Sequence, residues 1–267
     1  MNPQTLIEPV VAIALAAGHA ILDIYETDFE VAAKDDDSPL TKADMASNRR
    51  ILAGLRELTP EVPVISEEIG LPDFAERSSW HRYWLIDPLD GTKEFVKRNG
   101  EFTVNIALIE GSRPVLGVVH VPVTQKTYLG CAGFGSEVRD ADGTRKPLSV
   151  ALESASPVRV VGSRSHRGAS LDAFLELLGD FEMVPMGSSL KFCLVAEGVA
   201  DVYPRLGPTS EWDTAAAQAV VEYAGGSVVT LDGKSLTYNA KSDILNPHFL
   251  VAGPQDIDWL GLLAPSG

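Results

Sequence analysis

The sequence is poor in cysteine, and this scarcity excludes a scaffold held together by disulfide bonds. It contains only Cys131 and Cys193 among 267 residues. Small secreted proteins of the disulfide-rich class carry many more cysteines in a much shorter chain. We therefore expect two reduced, partly buried thiols in a protein of the cytoplasm.

Long hydrophobic runs are also missing. No apolar stretch approaches the roughly 20 residues that a helix needs to cross a bilayer. The N-terminus has no basic segment before an apolar core, as a signal peptide would have. We therefore expect no integral membrane segment and a cytoplasmic location, with a peripheral position at the inner membrane left open.

Positive charge is in deficit. The chain has 22 lysines and arginines against 37 aspartates and glutamates, which gives a net charge of −15. Because nucleic-acid polymers are bound through basic side chains, such a polymer is not expected as a partner. A small anionic ligand remains compatible, because bound metal ions can reverse the potential of an acidic site. The five histidines are scattered, and none forms a zinc-type cluster with cysteine.

The spacing of apolar residues predicts an α/β protein with two parts that meet near residue 150. Before that point predicted strands follow one another, whereas after it strands and helices alternate. The predicted helices cover residues 5–25, 41–58, 171–178, 189–198 and 213–224. The predicted strands cover residues 62–66, 102–109, 114–121, 127–131, 158–161, 183–184, 200–203, 227–231 and 249–252. Residues 30–40 and 70–80 are expected to be irregular connections.

One segment carries most of the chemical information. The apolar run from Tyr83 to Ile86 ends in Asp-Pro-Leu-Asp-Gly-Thr, which occupies residues 87–92. A proline and a glycine bend the backbone there, so two carboxylates, a carbonyl and a hydroxyl can face one point. Hard divalent cations prefer such oxygen ligands. A plain turn stays open as an alternative, because each of these residue types is common in turns.

Two further acidic positions lie where the chain turns. Glu67 and Glu68 follow a predicted strand, and Asp213 precedes a predicted helix. Taken alone, the glutamates suit a solvated turn and Asp213 suits a helix N-cap. Two carboxylates ~4 Å apart repel by about 4 kcal/mol at an effective dielectric near 20. Convergence of these groups would therefore require protons or cations, and oxygen-only ligands favour magnesium, calcium or manganese over zinc.

Taken in chain order, Glu67-Glu68, the segment that ends at residues 87–92 and the segment around Asp213 resemble the signature motifs of the inositol monophosphatase superfamily. That superfamily contains lithium-sensitive, magnesium-dependent phosphatases of small metabolites. The resemblance covers nearly the whole chain. Residues 87–108, 187–198 and 203–209 are also similar to the bacterial CysQ branch of 3'(2'),5'-bisphosphate nucleotidases. That branch hydrolyses 3'-phosphoadenosine 5'-phosphate to AMP and phosphate and acts on the sulfated precursor, 3'-phosphoadenylyl sulfate.

The resemblance assigns roles to residues of this chain. Two or three Mg²⁺ ions would be bound by side chains and one carbonyl, those of Glu67, Asp87, Leu89, Asp90 and Asp213. The catalytic group would comprise Glu67, Asp44 and Thr92, with Asp44 accepting a hydrogen bond from the Thr92 hydroxyl that helps to activate water. The substrate would be bound by Gly91, Thr92, Lys93, Ser163, His166, Ser189, Lys191, Arg205 and Asp213. A metal pair ~3.5–4 Å apart would orient that water and stabilise the leaving oxygen.

The implied fold is a layered α/β/α/β/α sandwich. Residues 1–150 would form an N-terminal α+β part carrying most metal ligands, and residues 151–267 a C-terminal α/β part completing the metal site and substrate pocket. Two alternatives stay open. One is another phosphomonoesterase, such as an inositol or fructose phosphatase, and the other is a non-catalytic metal-binding regulatory module.

Overall fold

The computed structural model describes residues 1–27, 39–162, 169–253 and 256–263. A short 3-10 helix, Pro3–Leu6, precedes the first α-helix. The α-helices are α1 (Ile7–Tyr25), α2 (Pro39–Leu58), α3 (Phe74–Arg77), α4 (Thr92–Val96), α5 (Ala169–Leu178), α6 (Leu190–Ala196) and α7 (Ala215–Tyr223). The strands are β1 (Val64–Ser66), β2 (Arg82–Asp90), β3 (Thr103–Glu110), β4 (Arg113–Val121), β5 (Lys126–Cys131), β6 (Gly135–Arg139), β7 (Arg145–Pro147), β8 (Val158–Gly162), β9 (Phe181–Pro185), β10 (Val202–Arg205), β11 (Ser227–Thr230) and β12 (Phe249–Ala252).

The first sheet has seven strands in sequence order, β1 to β7. Only the β1–β2 pair is parallel, and each later pair is antiparallel. Sequential antiparallel order needs only short connections, such as the turn between β3 and β4 that the sequence predicts. The long buried β2 lies second from the edge, which places the acidic segment at its C-terminal end beside β1 and β3.

The second sheet has five strands in the order β11-β12-β10-β8-β9. The strand β8 pairs in parallel with both β9 and β10, whereas β12 is antiparallel to its two neighbours. Parallel neighbours require crossover connections, and α5 and α6 supply them. The alternation of strands and helices after residue 150 therefore corresponds to this sheet.

The hydrophobic cores define five layers. One core joins α1 and α2 to a face of the first sheet, through residues such as Val10, Ile51 and Trp84. A second core places α6 and α7 between the two sheets. A third joins α5 to the outer face of the second sheet through Phe174 and Val160. The layer order is α/β/α/β/α, as the resemblance implied.

Several short elements differ from the sequence-based expectation. The predicted irregular connection over residues 70–80 contains α3, and the turn after Asp90 continues into α4. Two strands, β6 and β7, occupy a stretch that its glycines had marked only as turns. The predicted loop over residues 30–40 lies mostly outside the described residues, and Pro39 already begins α2. Division of the chain near residue 150 stays a prediction, although the two sheets fall on either side of that position.

The first helical stretch corrects one expectation. Pro3–Tyr25 spans 23 residues with a mean hydropathy of 1.8 in its most apolar window, so length and composition alone would allow it to cross a membrane. The sequence-based statement that no stretch approaches that length was wrong. In the described structure, Val10, Ala14 and Ile21 on this helix are buried in the core against the first sheet and α2. This is the pattern of a core helix in a folded domain.

Candidate active site

The end of β2 is shaped by its own residues. Asp87 pairs with Asn105 and Asp90 with Thr103, and the register between these two pairs is shifted, so the strand departs from regular pairing. The Leu89 N–H donates to Asp87 Oδ1 at 3.0 Å, which fixes the bend. Gly91 then adopts a φ of +100°, a left-handed value that glycine tolerates without steric cost. The chain can therefore enter α4 directly after the second aspartate.

A cavity of about 200 Å³ lies at this strand end. It is lined by Asp44, Glu67, Glu68, Asp87, Leu89, Asp90, Gly91, Thr92 and Asp213. All five candidate metal-ligating residues therefore line one cavity, together with the two further catalytic candidates. Glu68 lines it as well. Residues from α2, the end of β1, the end of β2 and the start of α7 are thus brought together, as the order of the motifs indicated.

The carboxyl groups of this cavity influence one another. Burial raises the pKa of Asp87 well above its ordinary value, and the neighbouring carboxylates of Asp90, Glu67, Asp213 and Asp44 raise it further. Burial also raises the pKa of Asp213 to about 8, with the charge of Asp90 as the next contribution. Repulsion of this kind is relieved when a bound cation supplies opposite charge.

The donor set suits magnesium, although the side chains stand apart. Within the described ranges, no three histidine, cysteine, aspartate or glutamate side chains meet closely enough to hold one ion. The donors themselves are oxygen atoms of carboxylates, a carbonyl and a hydroxyl, which fit Mg²⁺ better than Zn²⁺.

Helix α2 supports the strand ends from one side. Ser47 Oγ donates to the carbonyl oxygen of Pro88 at 2.7 Å, and Asn48 Oδ1 accepts from Ser66 Oγ at 2.9 Å. Asp44 lies one turn earlier on the same helix and is buried. It lines the cavity with Thr92. The hydrogen bond expected between these two side chains stays a prediction.

Asp213 does not cap α7. The N-cap position belongs to Thr214, which makes no capping side-chain bond. The carboxylate of Asp213 instead accepts the Ser210 N–H at 3.0 Å. The helix-cap alternative for Asp213 was therefore wrong, and the side chain lines the acidic cavity.

A second cavity, of about 350 Å³, adjoins the first, because Asp90, Gly91 and Asp213 line both. Three of its lining residues are the basic candidates Lys93, Lys191 and Arg205. The remaining lining residues are Glu94, Met186, Gly187, Ser188, Ser189, Phe192, Tyr203, Gly207, Pro208 and Thr209. An acidic pocket thus opens into a pocket with cationic and aromatic walls.

Ser189 is engaged in holding Asp90. Its N–H donates to Asp90 Oδ2 at 2.6 Å, and its hydroxyl lies 2.6 Å from the same oxygen. The hydroxyl also lies 2.8 Å from the carbonyl oxygen of Asp213 and accepts from Asn105 Nδ2 at 2.8 Å. Direct substrate binding by Ser189 stays a prediction, and the structure gives this side chain a role in orienting Asp90.

The basic candidates are partly fixed by local contacts. Lys191 Nζ donates to the Ser188 carbonyl at 2.6 Å and lies 5.6 Å from the centre of the Tyr203 ring. Burial lowers the pKa of Lys191, opposed by the charge of Asp90. Arg205 donates to the Thr209 hydroxyl and, at 2.6 Å, to the Pro208 carbonyl. Ser163 and His166 lie outside the described residues.

A model of the inositol monophosphatase family matches residues 2–256. The chain belongs to the inositol monophosphatase family. Among curated members of the family, it is 51% identical to the 3'(2'),5'-bisphosphate nucleotidase CysQ of Salmonella typhimurium over 248 residues, covering 92% of this chain and 99% of that protein. It is 49% identical to the enzyme of the same name from Escherichia coli, with the same coverage.

Solved structures of the family have the same fold. Crystalline CysQ from Bacteroides thetaiotaomicron, described as a bacterial member of this family, superposes with a TM-score of 0.83 at 43% identity, covering 94% of this chain and 99% of that one. An inositol monophosphatase from Zymomonas mobilis gives a TM-score of 0.80 at 22% identity over 97% and 98% of the two chains. That second likeness supports the fold alone.

The sequence analysis did not identify several residues whose hydrogen bonds hold the segments that line the two cavities. Asn105 is a buried amide in the otherwise mostly apolar β3, and that exception to the pattern was a usable signal. Glu101 accepts the Gly187 N–H at 2.8 Å and so holds the loop before Ser189. Glu211, buried two residues before Asp213, accepts the Asn239 N–H at 2.8 Å. No local pattern reveals these last two contacts, because the partners are distant in sequence.

Proposed function

We propose that the protein is a magnesium-dependent phosphatase that hydrolyses the 3'-phosphate of 3'-phosphoadenosine 5'-phosphate, giving AMP and phosphate. The observation that carries this proposal is the junction of an acidic cavity with a cavity lined by Lys93, Lys191 and Arg205. A monophosphate needs only the first of these pockets. A substrate with two separated phosphates fits both.

The acidic cavity provides the reaction site. Glu67, Asp87, Asp90, Asp213 and the carbonyl of Leu89 would hold two or three Mg²⁺ ions. When bound, the ions would polarise the phosphoryl oxygens and lower the pKa of an attacking water. Asp44 and Thr92 would orient that water, and the backbone N–H groups of Gly91 and Thr92 would donate to the phosphate.

The adjoining cavity would select the nucleotide. Lys93, Lys191 and Arg205 offer positive charge to the second phosphate. Phe192 and Tyr203 offer aromatic surface to the base. The curated relatives named 3'(2'),5'-bisphosphate nucleotidases support this reading, because they are about half identical over nearly their whole length. The same relatives lead us to include 3'-phosphoadenylyl sulfate as a second proposed substrate.

Phosphate release from a small panel of substrates tests the proposal. The panel contains 3'-phosphoadenosine 5'-phosphate, 3'-phosphoadenylyl sulfate, inositol 1-phosphate and fructose 1,6-bisphosphate, each with magnesium and with EDTA. We expect the highest kcat/KM with the bisphosphate nucleotide and none with EDTA. Higher turnover of inositol 1-phosphate would replace this proposal by the inositol phosphatase alternative. Calorimetric Mg²⁺ binding without turnover of any substrate would favour a regulatory module.

Two variants test the residue assignment. Asp90→Asn and Asp213→Asn keep the side-chain shape and remove a negative charge from the acidic cavity. We expect each to abolish turnover, and activity within tenfold of wild type in either would remove the assignment. Asp232→Asn is the matched control and should leave turnover unchanged, because Asp232 is exposed, paired with Lys234 and lines neither cavity. Inhibition by millimolar lithium is a further expectation from the family.

A further inference from the structure

Arg77, the last residue of α3, is a cation buried within the protein. Its exposed fraction is 0%. Its guanidinium donates to neutral oxygens: those of Pro72 at 3.3 Å, Asn239, Lys241 at 3.2 Å and Ser242 at 2.6 Å. The Phe74 ring lies over the guanidinium, with its centre 5.0 Å away. Burial of a charge costs free energy, and an apolar side chain of similar volume is often as stabilising. The arginine instead joins α3 to residues 239–242 through bonds that an apolar side chain could not make.

Asn239 links Arg77 to the segment that carries Asp213. Its side-chain oxygen accepts from Arg77 Nη1, and its side-chain nitrogen donates to the Arg77 carbonyl at 2.6 Å. Its own N–H donates to Glu211 Oε2 at 2.8 Å. Asn239 has a φ of +54°, a left-handed value that asparagine adopts more readily than most residues. With this backbone geometry, Asn239 contacts Arg77 through its side chain and Glu211 through its N–H.

The segment after Asn239 is joined along its length to residues 209–214. Glu211 N–H donates to the Ile244 carbonyl at 2.9 Å, and Asn246 N–H to the Thr209 carbonyl at 2.8 Å. The Asn246 side chain donates to the Ser210 carbonyl at 2.9 Å and to the Thr214 hydroxyl at 3.0 Å. Ser210 in turn donates to the carboxylate of Asp213 at 3.0 Å. A displacement of residues 239–246 would therefore move Asp213.

We propose that Arg77 is a positioning residue which, through Asn239 and Glu211, sets the distance of Asp213 from Glu67 and thereby the affinity of the acidic cavity for Mg²⁺. The inference rests on the proposed function. Arg77 belongs to the stretch between Glu67 and β2, whereas Asp213 and Asn239 lie in the second half of the chain. The arginine therefore ties together the two parts of the chain whose carboxylates must approach one ion.

This role predicts a specific signature. Loss of the Arg77 guanidinium bonds to residues 239–242 makes the position of Asp213 less fixed. The substitution removes no candidate metal ligand and no group that contacts substrate. The affinity for Mg²⁺ then falls about tenfold, as is typical when a residue that supports a metal ligand is replaced. At saturating Mg²⁺ the ligands are drawn together, so kcat and the KM for substrate stay within about twofold of wild type. A purely structural role would lower the unfolding temperature and leave Mg²⁺ affinity unchanged.

The experiment compares Mg²⁺ binding by calorimetry and Mg²⁺-dependent turnover in the full-length protein and its variants. Arg77→Lys keeps the charge but cannot make the fork of bonds to Asn239 and Ser242. Asn239→Gly removes both side-chain bonds to Arg77 and accommodates the left-handed backbone. Arg159→Lys is the control, because Arg159 likewise makes several guanidinium bonds, two to the Asp201 carboxylate and one to the Gly198 carbonyl.

We expect both Arg77→Lys and Asn239→Gly to need about tenfold more Mg²⁺, in binding and in turnover, while Arg159→Lys needs no more than wild type. Mg²⁺ affinity within twofold of wild type in Arg77→Lys and Asn239→Gly would overturn the inference and leave the proposed function intact. A tenfold loss in Arg159→Lys as well would also overturn it, because the effect would then follow from general destabilisation. Wild-type protein that neither binds Mg²⁺ nor releases phosphate would overturn the proposed function itself.

Discussion

Single residues around Asp90 show how a candidate metal-ligating carboxylate can be oriented by neutral neighbours. Asn105 donates to Ser189, and Ser189 contacts Asp90 through both its N–H and its hydroxyl. Asn105 and Ser189 are buried, and Asp90 lines the acidic cavity. Replacement of a side chain that orients a metal ligand typically lowers metal affinity or activity by about 10–100-fold.

Ser189→Ala tests this orientation. The substitution removes the hydroxyl that lies 2.6 Å from Asp90 Oδ2 and keeps the N–H bond to the same oxygen. We expect kcat/KM at fixed Mg²⁺ to fall by about 10–100-fold. The matched control is Ser136→Ala, which removes a buried hydroxyl bonded to the Leu129 carbonyl on β5. Equal activity in the two variants would contradict the orienting role.

Lys191 is a second single residue with a testable role. We expect its replacement to change the KM for substrates that carry a second phosphate. A buried hydrogen bond to a charged group contributes about 1.5–3 kcal/mol, which is about 10–100-fold in affinity. We therefore expect Lys191→Met to raise the KM for 3'-phosphoadenosine 5'-phosphate by at least about tenfold. The KM for 3'-AMP, which lacks the second phosphate, should change less than twofold. Lys234→Met, at an exposed lysine, serves as control. Equal losses for both substrates would remove the assignment to the second phosphate.

At the scale of elements, the close packing of α7 on the first sheet determines where Asp213 stands. The helix contacts β3, β4 and β5 through small residues, and Gly117 on β4 allows its backbone to approach. A Cβ at Gly117 would lie 2.1 Å from the carbonyl oxygen of Ala216. That oxygen belongs to the first turn of α7, three residues after Asp213.

Gly117→Ala should therefore destabilise the fold and displace the site together. Overpacking of a buried contact costs about 1–3 kcal/mol, and here the obstructing atom is backbone, which cannot rotate away. We expect a lower urea midpoint and reduced turnover. Gly70→Ala is the control for stability, because no atom lies within 4 Å of the added Cβ. An unchanged midpoint in Gly117→Ala would show that α7 can shift freely on the sheet.

At the scale of the whole molecule, the five layers bury titratable side chains whose ionisation costs free energy. His120 on β4 is buried between the first sheet and α1, next to Gly18, with Nδ1 2.9 Å from the Thr127 hydroxyl. Burial lowers its pKa to about 4, and the nearby His19 contributes in the same direction. The free energy of unfolding should therefore depend on pH through this group.

The sign follows from which state binds the proton. Between an ordinary pKa near 6.5 and the native value of about 4, the unfolded chain holds a proton on His120 and the native protein does not. Stability from this residue is therefore complete above pH 6.5 and is lost as the pH falls towards 4. The loss is on the order of 3 kcal/mol, at about 1.4 kcal/mol per pKa unit.

Urea unfolding of wild type and His120→Gln at several pH values measures this contribution. Other groups titrate in the same range, so the difference between the two proteins is the informative quantity. We expect the wild type to lose more stability than the variant between pH 6.5 and 4. Parallel pH dependences would show that the buried histidine is protonated at little cost.

The sequence by itself determined which oxygen-bearing side chains the candidate site contains. Oxygen ligands at turns, in the order Glu67, then Asp87 and Asp90, then Asp213, indicated a hard cation, because ligand type follows from residue type alone. Apolar periodicity likewise determined the long elements, such as α1 and β2, since each repeats its pattern over many residues. The short α3, α4, β6 and β7 were missed because a few residues carry too weak a pattern against tertiary context.

Only the tertiary structure decided which polar side chains face a ligand and which are used within the fold. Ser189 meets Asp90 from 99 positions away, and Arg77 meets Asn239 from 162 positions away. No local pattern encodes such contacts, because they arise when separate layers pack together. The same packing brings carboxylates from four segments to one cavity, which the sequence could predict only through resemblance to a known family.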